Sequence, residues 1–420
     1  MAKWIQQTNK REGIHRMGNN VSTKGRWVIA ISGIIIMVLL GTVYGWSVFK
    51  KPLMESHGWS GPQVTMAFTI AIFCIGLSAA LGGKFVDKAG ARKIASLAAI
   101  LFGIGTLITG LADSIGNLWL LYLGYGLIAG VGNGLGYITP IAVLVRWFPD
   151  KRGLITGLCV MGFGFGAAIL GQIAPLVIPS IGVSGTFYLF GAVYLVVLLV
   201  VAQKIKNPPS DWVAPVSTKK APTAVKDSVE LKGAVKMYQF YLLWLILFIN
   251  VTAGIALISN LSPMAQSQVG LTAITAGTLI FISSLFNGLG RIFWASLSDK
   301  IGRRTAFLLI LGTQVPLFII LPSITSVALF GILCCYILAC YGGGFATMPS
   351  FAADTFGPKN MGSIYGKVLL AWGFAGVVGP IMMERIKIST DSFAMALYIA
   401  AGMLAVGFIL ALLYRKPVQN

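Results

Sequence analysis

Residues 82–93 read GGKFVDKAGARK, and residues 295–305 read ASLSDKIGRRT. Each places Asp-Lys, a glycine and a basic pair directly after a long apolar run, and Asp299 follows Asp87 by 212 residues. A second pair of loops repeats the relation. RWFPDKRGLITG spans 146–157 and DTFGPKNMGSIYG spans 354–366, with Gly362 following Gly153 by 209 residues. Two matched loops at nearly one offset imply a duplicated unit, because chance would have to supply the match twice.

The apolar runs around these loops fix what the unit is. A membrane-crossing helix needs about 20 apolar residues. Such runs lie near 27–49, 63–83, 94–112, 118–147, 154–178 and 183–203, and again near 240–265, 272–297, 305–322, 325–350, 362–383 and 392–414. The expected fold is all-α and integral to the membrane, with twelve transmembrane helices in two six-helix, pseudo-symmetric bundles. The expected organisation is an N-tail 1–26, a bundle 27–203, a polar linker 204–239, a bundle 240–414 and a C-tail 415–420. The run Trp27–Phe49 is too long for a signal-peptide core and has no evident cleavage site, so it is expected to stay in the mature protein.

Composition agrees. Only 10% of the 420 residues are charged, and mean hydropathy is +0.84; a soluble surface cannot be made from so few charges. The net charge of +20 would suit nucleic acid in a soluble protein, but here topology accounts for it. With both termini in the cytoplasm, 26 of the 32 Lys and Arg fall in cytoplasmic segments. Four lie outside (Lys50, Lys51, Arg385 and Lys387), and Arg291 and Lys367 lie inside spans. That bias is the positive-inside rule. It predicts a multi-pass protein of the cell (inner) membrane with both termini cytoplasmic, lipid as surroundings and no nucleic-acid partner.

The five cysteines all sit in apolar runs without a CxxC pair, and there are only two histidines, His15 and His57. No metal or bound cofactor is expected. With no HExxH, P-loop or Ser/His/Asp arrangement, no enzyme is expected either.

All twelve acids map to loops, tails or helix ends. The cation Arg291 is different. It lies eight residues before Asp299, hence ~12 Å from the helix end at 1.5 Å per residue, near the middle of a core about 30 Å thick. Side chains tilt toward the helix N-terminus, which here points away from the cytoplasm and disfavours snorkelling. An intramembrane cation without an acid partner is a candidate for binding a substrate carboxylate. Asn287 stands one turn earlier on the same face. Lys367, close to the inner end of its helix, is expected to snorkel. Tyr44, Trp46, Tyr125, Tyr137, Tyr341, Phe345 and Trp372 are span aromatics able to wall a low-dielectric cavity. Glycines recurring along 126–134 and 162–166 are expected to serve close helix packing.

The D-K-x-G-x-R/K loops after helices 2 and 8 resemble the loop signature of the major facilitator superfamily. The segments YGWSVFKKP, RWFPDKRG, LFNGLGRIFW, SDKIGR and GGGF…P…DTFG resemble its oxalate:formate antiporter and bacterial monocarboxylate transporter branch. The resemblance implies two bundles about a central cavity that rock to expose a midplane site to either side. It implies a conformational latch at Asp87, Arg92, Asp299 and Arg303. It also implies that Arg291 binds the substrate carboxylate, with Tyr44, Trp46, Tyr137, Tyr341 and Phe345 at cavity positions and Phe163 where the branch has another cavity tyrosine; Asn287, from its helix face, and Trp372, a span aromatic, complete the expected substrate site. The oxalate transporter carries a second cation, a lysine, at the position of Trp372. A dianion would here meet one positive charge instead of two, so a monocarboxylate such as lactate or pyruvate is expected. Animal monocarboxylate carriers place an aspartate where Asn287 stands, so the substrate's own carboxylate becomes the candidate proton carrier. The expected activity is proton-coupled symport by a functional monomer, with organic-anion exchange as the alternative.

Overall fold

The computed structural model describes residues 25–148, 152–208, 229–357 and 361–417. Among these residues, eleven continuous helices are long and apolar enough to cross a membrane. The longest, Arg152–Ala202, holds a non-helical Gly182 at φ 73° and ψ 177°. Only glycine adopts that conformation at low cost. Pro175 and Pro179 lie just before it, so this segment is two helices meeting at a corner, and the crossings among the described residues number twelve.

We number them α1 (Gly25–Gly45), α2 (Gly61–Ala89) and α3 (Ala91–Ser114). Helix α4 is built from Leu118–Leu121, a π-helical stretch Tyr122–Ala129 and Gly130–Trp147. The corner divides α5 (152–181) from α6 (183–202). Then follow α7 (Tyr238–Val269), α8 (Ala273–Ile301) and α9 (Arg303–Ile320). The last three are α10 (Val327–Phe356), α11 (Met361–Thr390) and α12 (Ala394–Leu413). A helical extension, Ser47–His57, prolongs α1.

Large apolar side chains occur both in the packed interior and on the outside. Val196, Val200 and Ile332 are each more than 60% exposed. An apolar exterior on apolar helices is what lipid contact demands, because the backbone polar groups are already satisfied within each helix.

The first six helices meet the last six along two seams, and glycine makes both possible. A methyl at Gly164 of α5 would lie 2.9 Å from Cα of Gly288 on α8. A methyl at Gly76 of α2 would lie 2.6 Å from the backbone nitrogen of Gly373 on α11. Without side chains the backbones approach closely, the usual basis of helix association in membranes. The glycines singled out in the sequence divide by partner. Gly126, Gly130 and Gly134 all face α2, and Gly162 and Gly166 face α1. Gly164 instead faces the seam with α8.

We call the side holding the α2–α3 and α8–α9 loops the loop face. There Arg303 bonds Asp299 one turn back on α8, Ser298, and Asp354 of α10 at 3.2 Å. Arg304 donates to the carbonyls of Ala411 and Leu412 at the end of α12. The arginines of this loop therefore fasten α8, α9, α10 and α12 to one another. Arg92, its counterpart in the first repeat, is exposed. The Asp87 side chain lies outside the described residues, as do the tail before residue 25 and most of the linker.

Candidate functional site

The site is assembled from short-range features of four helices. In α1 the chain tightens into a 3₁₀ turn at Thr42–Gly45. Thr42 donates to the Leu39 carbonyl at 2.6 Å, and Asn133 of α4 donates to the Leu40 carbonyl at 2.8 Å. These bonds satisfy carbonyls that the change of pitch would otherwise strand. Gly41 lies against the Phe163 backbone, which sets how far Tyr44 reaches into the interior. In α10 the run Tyr341-Gly-Gly-Gly-Phe345 does the equivalent work. A methyl at Gly342 would collide with the Asn287 carbonyl, one at Gly343 with Trp294, and one at Gly344 with Asn250. The three glycines let α10 press onto α8 and α7, leaving Phe345 beside Arg291 and Tyr341 one turn away against Phe345.

Arg291 is buried, with 1% of its surface exposed. Its Nε and Nη1 find no hydrogen-bond partner among the described residues. Its guanidinium carbon stands 5.5 Å from the centroid of the Phe345 ring, a cation–π distance. Asn287 is also buried and its Oδ1 has no partner among the described residues. The Tyr137, Tyr44, Tyr341 and Tyr365 side chains all stand close enough to feel the charge.

Around this charge runs a closed set of aromatic contacts. Tyr341 donates to the Tyr44 hydroxyl at 2.7 Å, joining α10 to α1. Tyr44 meets Phe163 edge-on at 5.3 Å, and Phe163 meets Tyr137 at 5.1 Å. Trp372 touches Tyr137, Phe163 and Phe345 at 5.3, 5.9 and 5.3 Å. These edge-to-face pairs are favourable in themselves, and they join helices of both halves around one cation. A small cavity adjoins the ring on the side away from the loop face. Tyr44, Ile258, Leu261, Ile280, Ser283, Ser284, Asn287 and Leu338 line it.

Of the eight candidate substrate residues, seven converge: Arg291, Asn287, Tyr44, Tyr137, Tyr341, Phe345 and Trp372. Trp46 does not. It packs against Tyr125 at 4.2 Å and Phe187 at 6.4 Å, within the first six helices. Two residues along a helix are turned about 200° apart, so Tyr44 and Trp46 cannot face the same cavity. Lys367 is exposed, as snorkelling requires.

Buried carboxylates do exist, and they are committed elsewhere. Asp113 pairs with His57 at 2.7 Å and accepts from Ser184. Glu384 pairs with Lys50, and both are only 3% exposed. By position in the sequence these acids are expected at helix ends and Lys50 in a loop. The helical extension of α1 carries Lys50 inward instead, onto α7 and α11. The partner glutamate lies 334 residues away, so no local signal announces the pair. Gly164, expected from the sequence only to serve helix packing, also borders the site: a methyl there would lie 3.3 Å from Nε of Arg291.

Residues 27–380 match the family description "Major Facilitator Superfamily". An uncharacterized MFS-type transporter of Escherichia coli, YhjX, is 26% identical over 84% of this chain and 86% of its own length. The oxalate:formate antiporter of Oxalobacter formigenes is 28% identical over 89% of this chain and 86% of its own. Apicoplast pyruvate carrier 1 of Toxoplasma gondii is 26% identical over 62% of this chain and 58% of its own. Among solved structures, a bacterial homolog of the human lysosomal transporter Spinster, inward-facing and unoccupied, superposes with a TM-score of 0.66. It covers 92% of this chain and 95% of its own at 16% identity, a likeness of fold alone.

Proposed function

The chain belongs to the Major Facilitator Superfamily, a family of membrane transporters and not enzymes, and on that premise we propose that it carries small monocarboxylates of the lactate and pyruvate kind by proton-coupled symport. One observation carries the reading. Arg291 is a buried cation in an aromatic enclosure, with two unpaired guanidinium nitrogens and no carboxylate bonded to it among the described residues. A buried charge of this kind is costly until an opposite charge joins it. A carboxylate is the planar acceptor that matches a guanidinium in two parallel bonds. Asn287 and the tyrosine hydroxyls supply directional bonds to the rest of a small anion, and the rings exclude water and strengthen the pair.

The proposed cycle is alternating access between the bundles 27–203 and 240–414, rocking on the glycine seams. The loop face is the cytoplasmic one in this scheme, by the excess of Lys and Arg there. The loop residues Asp87, Arg92, Asp299 and Arg303 act as a latch for that face. Trp372 stands where a second cation would be needed for a dianion, which favours single carboxylates. The proton enters as the coupling ion, and the unit that transports is the monomer.

Exchange of organic anions is the second reading. It is favoured by the absence of an acid bonded to Arg291 among the described residues, and by likeness to a protein described as an oxalate:formate antiporter. Uptake of labelled L-lactate into proteoliposomes separates the two. Symport predicts accumulation driven by an inward proton gradient into vesicles holding no anion, lost in Arg291→Gln. Uptake that ignores the gradient but requires internal anion supports exchange. No lactate uptake by folded protein removes the substrate assignment.

A further inference from the structure

Trp372 of α11 carries a hydrogen-bond donor that the protein does not use. Its side chain is buried, with 1% of its surface exposed, and its Nε1 has no partner among the described residues. An indole N–H can only donate, and a buried donor without an acceptor is destabilising. The backbone here is pinned to the α2 seam, where a methyl at Gly76 would lie 3.7 Å from the Trp372 carbonyl carbon. From that seam the ring extends to Phe345 of α10, Tyr137 of α4 and Phe163 of α5. Its N–H reaches toward the Tyr44 hydroxyl of α1 without closing a bond to it. Trp46 also has an unpartnered Nε1, but it packs against Tyr125 and Phe187, outside the aromatic ring around Arg291.

Trp372 and Arg291 border the same groups. The Phe345 ring lies 5.3 Å from the indole and 5.5 Å from the guanidinium carbon. Tyr137 and Tyr44 both feel the charge of Arg291 and both stand against Trp372. Two kinds of unused donor therefore adjoin in one enclosure: charged ones on Arg291 and a neutral one on Trp372.

The two kinds suit different atoms. A guanidinium matches a carboxylate. A neutral N–H brings no charge to balance a second anionic group, which is costly to bury unpaired, so it suits an uncharged oxygen. In a small acid held at Arg291, the nearest such place is the substituent on the carbon next to the carboxylate. A hydroxyl or keto oxygen there accepts from the indole. A methylene there leaves the N–H desolvated and unmatched, and sites with a buried donor discriminate strongly against analogues that cannot meet it. We propose that the Trp372 indole N–H donates to an oxygen on that carbon, and so selects 2-hydroxy and 2-oxo acids over plain carboxylic acids of the same length. The proposal rests on the reading of Arg291 as the carboxylate site, and it can fail while that reading stands.

The test compares L-lactate and pyruvate with propionate, which has the same carbon chain and carboxylate but no oxygen beside it. Dissociation constants are read by isothermal titration of the purified full-length chain in detergent. The parent is expected to bind lactate and pyruvate about 5–100-fold more tightly than propionate, the range for one buried donor left unmatched. Trp372→Phe keeps an aromatic ring and removes the N–H, and this ratio should fall to near one. Trp46→Phe removes the other unpartnered indole N–H and should keep the parent's ratio. A merely structural disturbance would weaken all three acids together and leave the ratio standing. A parent that binds propionate as tightly as lactate and pyruvate, or a Trp372→Phe variant that keeps the parent's ratio, overturns the proposal and leaves the carboxylate site intact. Binding of none of the three acids overturns both. If Trp372→Phe does not fold, magnetic resonance of the parent with isotope-labelled tryptophan decides. One indole N–H signal is expected to move with lactate and pyruvate and not with propionate, and the lack of such a signal overturns the proposal.

Discussion

Replacing Arg291 by glutamine separates binding from stability in a way few substitutions do. Glutamine keeps a polar side chain of similar reach but removes the charge and the planar fork. If Arg291 grips a carboxylate, the variant loses a desolvated, charge-assisted pair. Removing one partner of such a pair costs about 2–5 kcal/mol. At 1.4 kcal/mol per tenfold, uptake at low lactate should fall by about 30-fold to several thousand-fold. Stability should move the other way. Two guanidinium nitrogens are buried without partners among the described residues, and a buried unsatisfied polar group costs about 1–3 kcal/mol. Glutamine brings an amide of its own but removes the buried, unbalanced charge, which is the costlier group to bury, so the substrate-free variant should melt at the same temperature as the parent or higher. The assays are initial uptake rates in proteoliposomes and thermal unfolding in detergent, with and without lactate. Lactate should raise the melting point of the parent and leave the variant unmoved. A variant that transports normally refutes the binding role. One that melts much lower shows that Arg291 is bonded to the protein itself, and refutes the argument from unpaired nitrogens.

Four further outcomes follow from the same geometry. Trp372→Lys puts a second cation into the ring, and oxalate should then inhibit lactate uptake where it does not inhibit the parent; unchanged selectivity would detach Trp372 from specificity. Gly164→Ala sets a methyl 2.9 Å from Gly288 Cα and 3.3 Å from Arg291 Nε, and overpacking of this kind costs about 1–3 kcal/mol. It should lower both melting temperature and turnover, whereas Gly157→Ala, with open space around it, should do neither. Tyr44→Phe and Tyr341→Phe each break the 2.7 Å bond between α1 and α10, worth about 1 kcal/mol. The double variant should therefore lose less stability than the two single losses added together. His57→Gln removes the 2.7 Å contact to buried Asp113 and should destabilise by about 1–3 kcal/mol, measured by denaturation, with the lactate KM unchanged.

Much of this was legible in the chain because lipid imposes simple rules. Each crossing needs a fixed length of apolar residues, so α1 to α12 could be placed by counting. The break between the apolar runs near 154–178 and 183–203 anticipated the corner that Gly182 makes between α5 and α6. The doubled D-K-x-G loops declared two related halves, and Arg291 stood out because a charge in an apolar run is too costly to be casual. Its aromatic neighbours Tyr44, Tyr137, Tyr341, Phe345 and Trp372 followed from residue type and position in a span. What the chain could not disclose depended on rotation and on distance along the sequence. Trp46 leaves the ring because helical pitch turns it away from Tyr44. Gly164 and the glycines after Tyr341 matter only because another backbone lies against them. Lys50 has the look of a loop cation until the α1 extension carries it to a glutamate 334 residues away. Hydropathy is a property of each segment, whereas pairing is a property of the surfaces that segments present to one another. Apolar length and repetition are therefore enough to establish that the chain crosses the membrane as two repeated bundles with a cation inside, whereas which groups meet that cation follows from how the helices are rotated and pressed together.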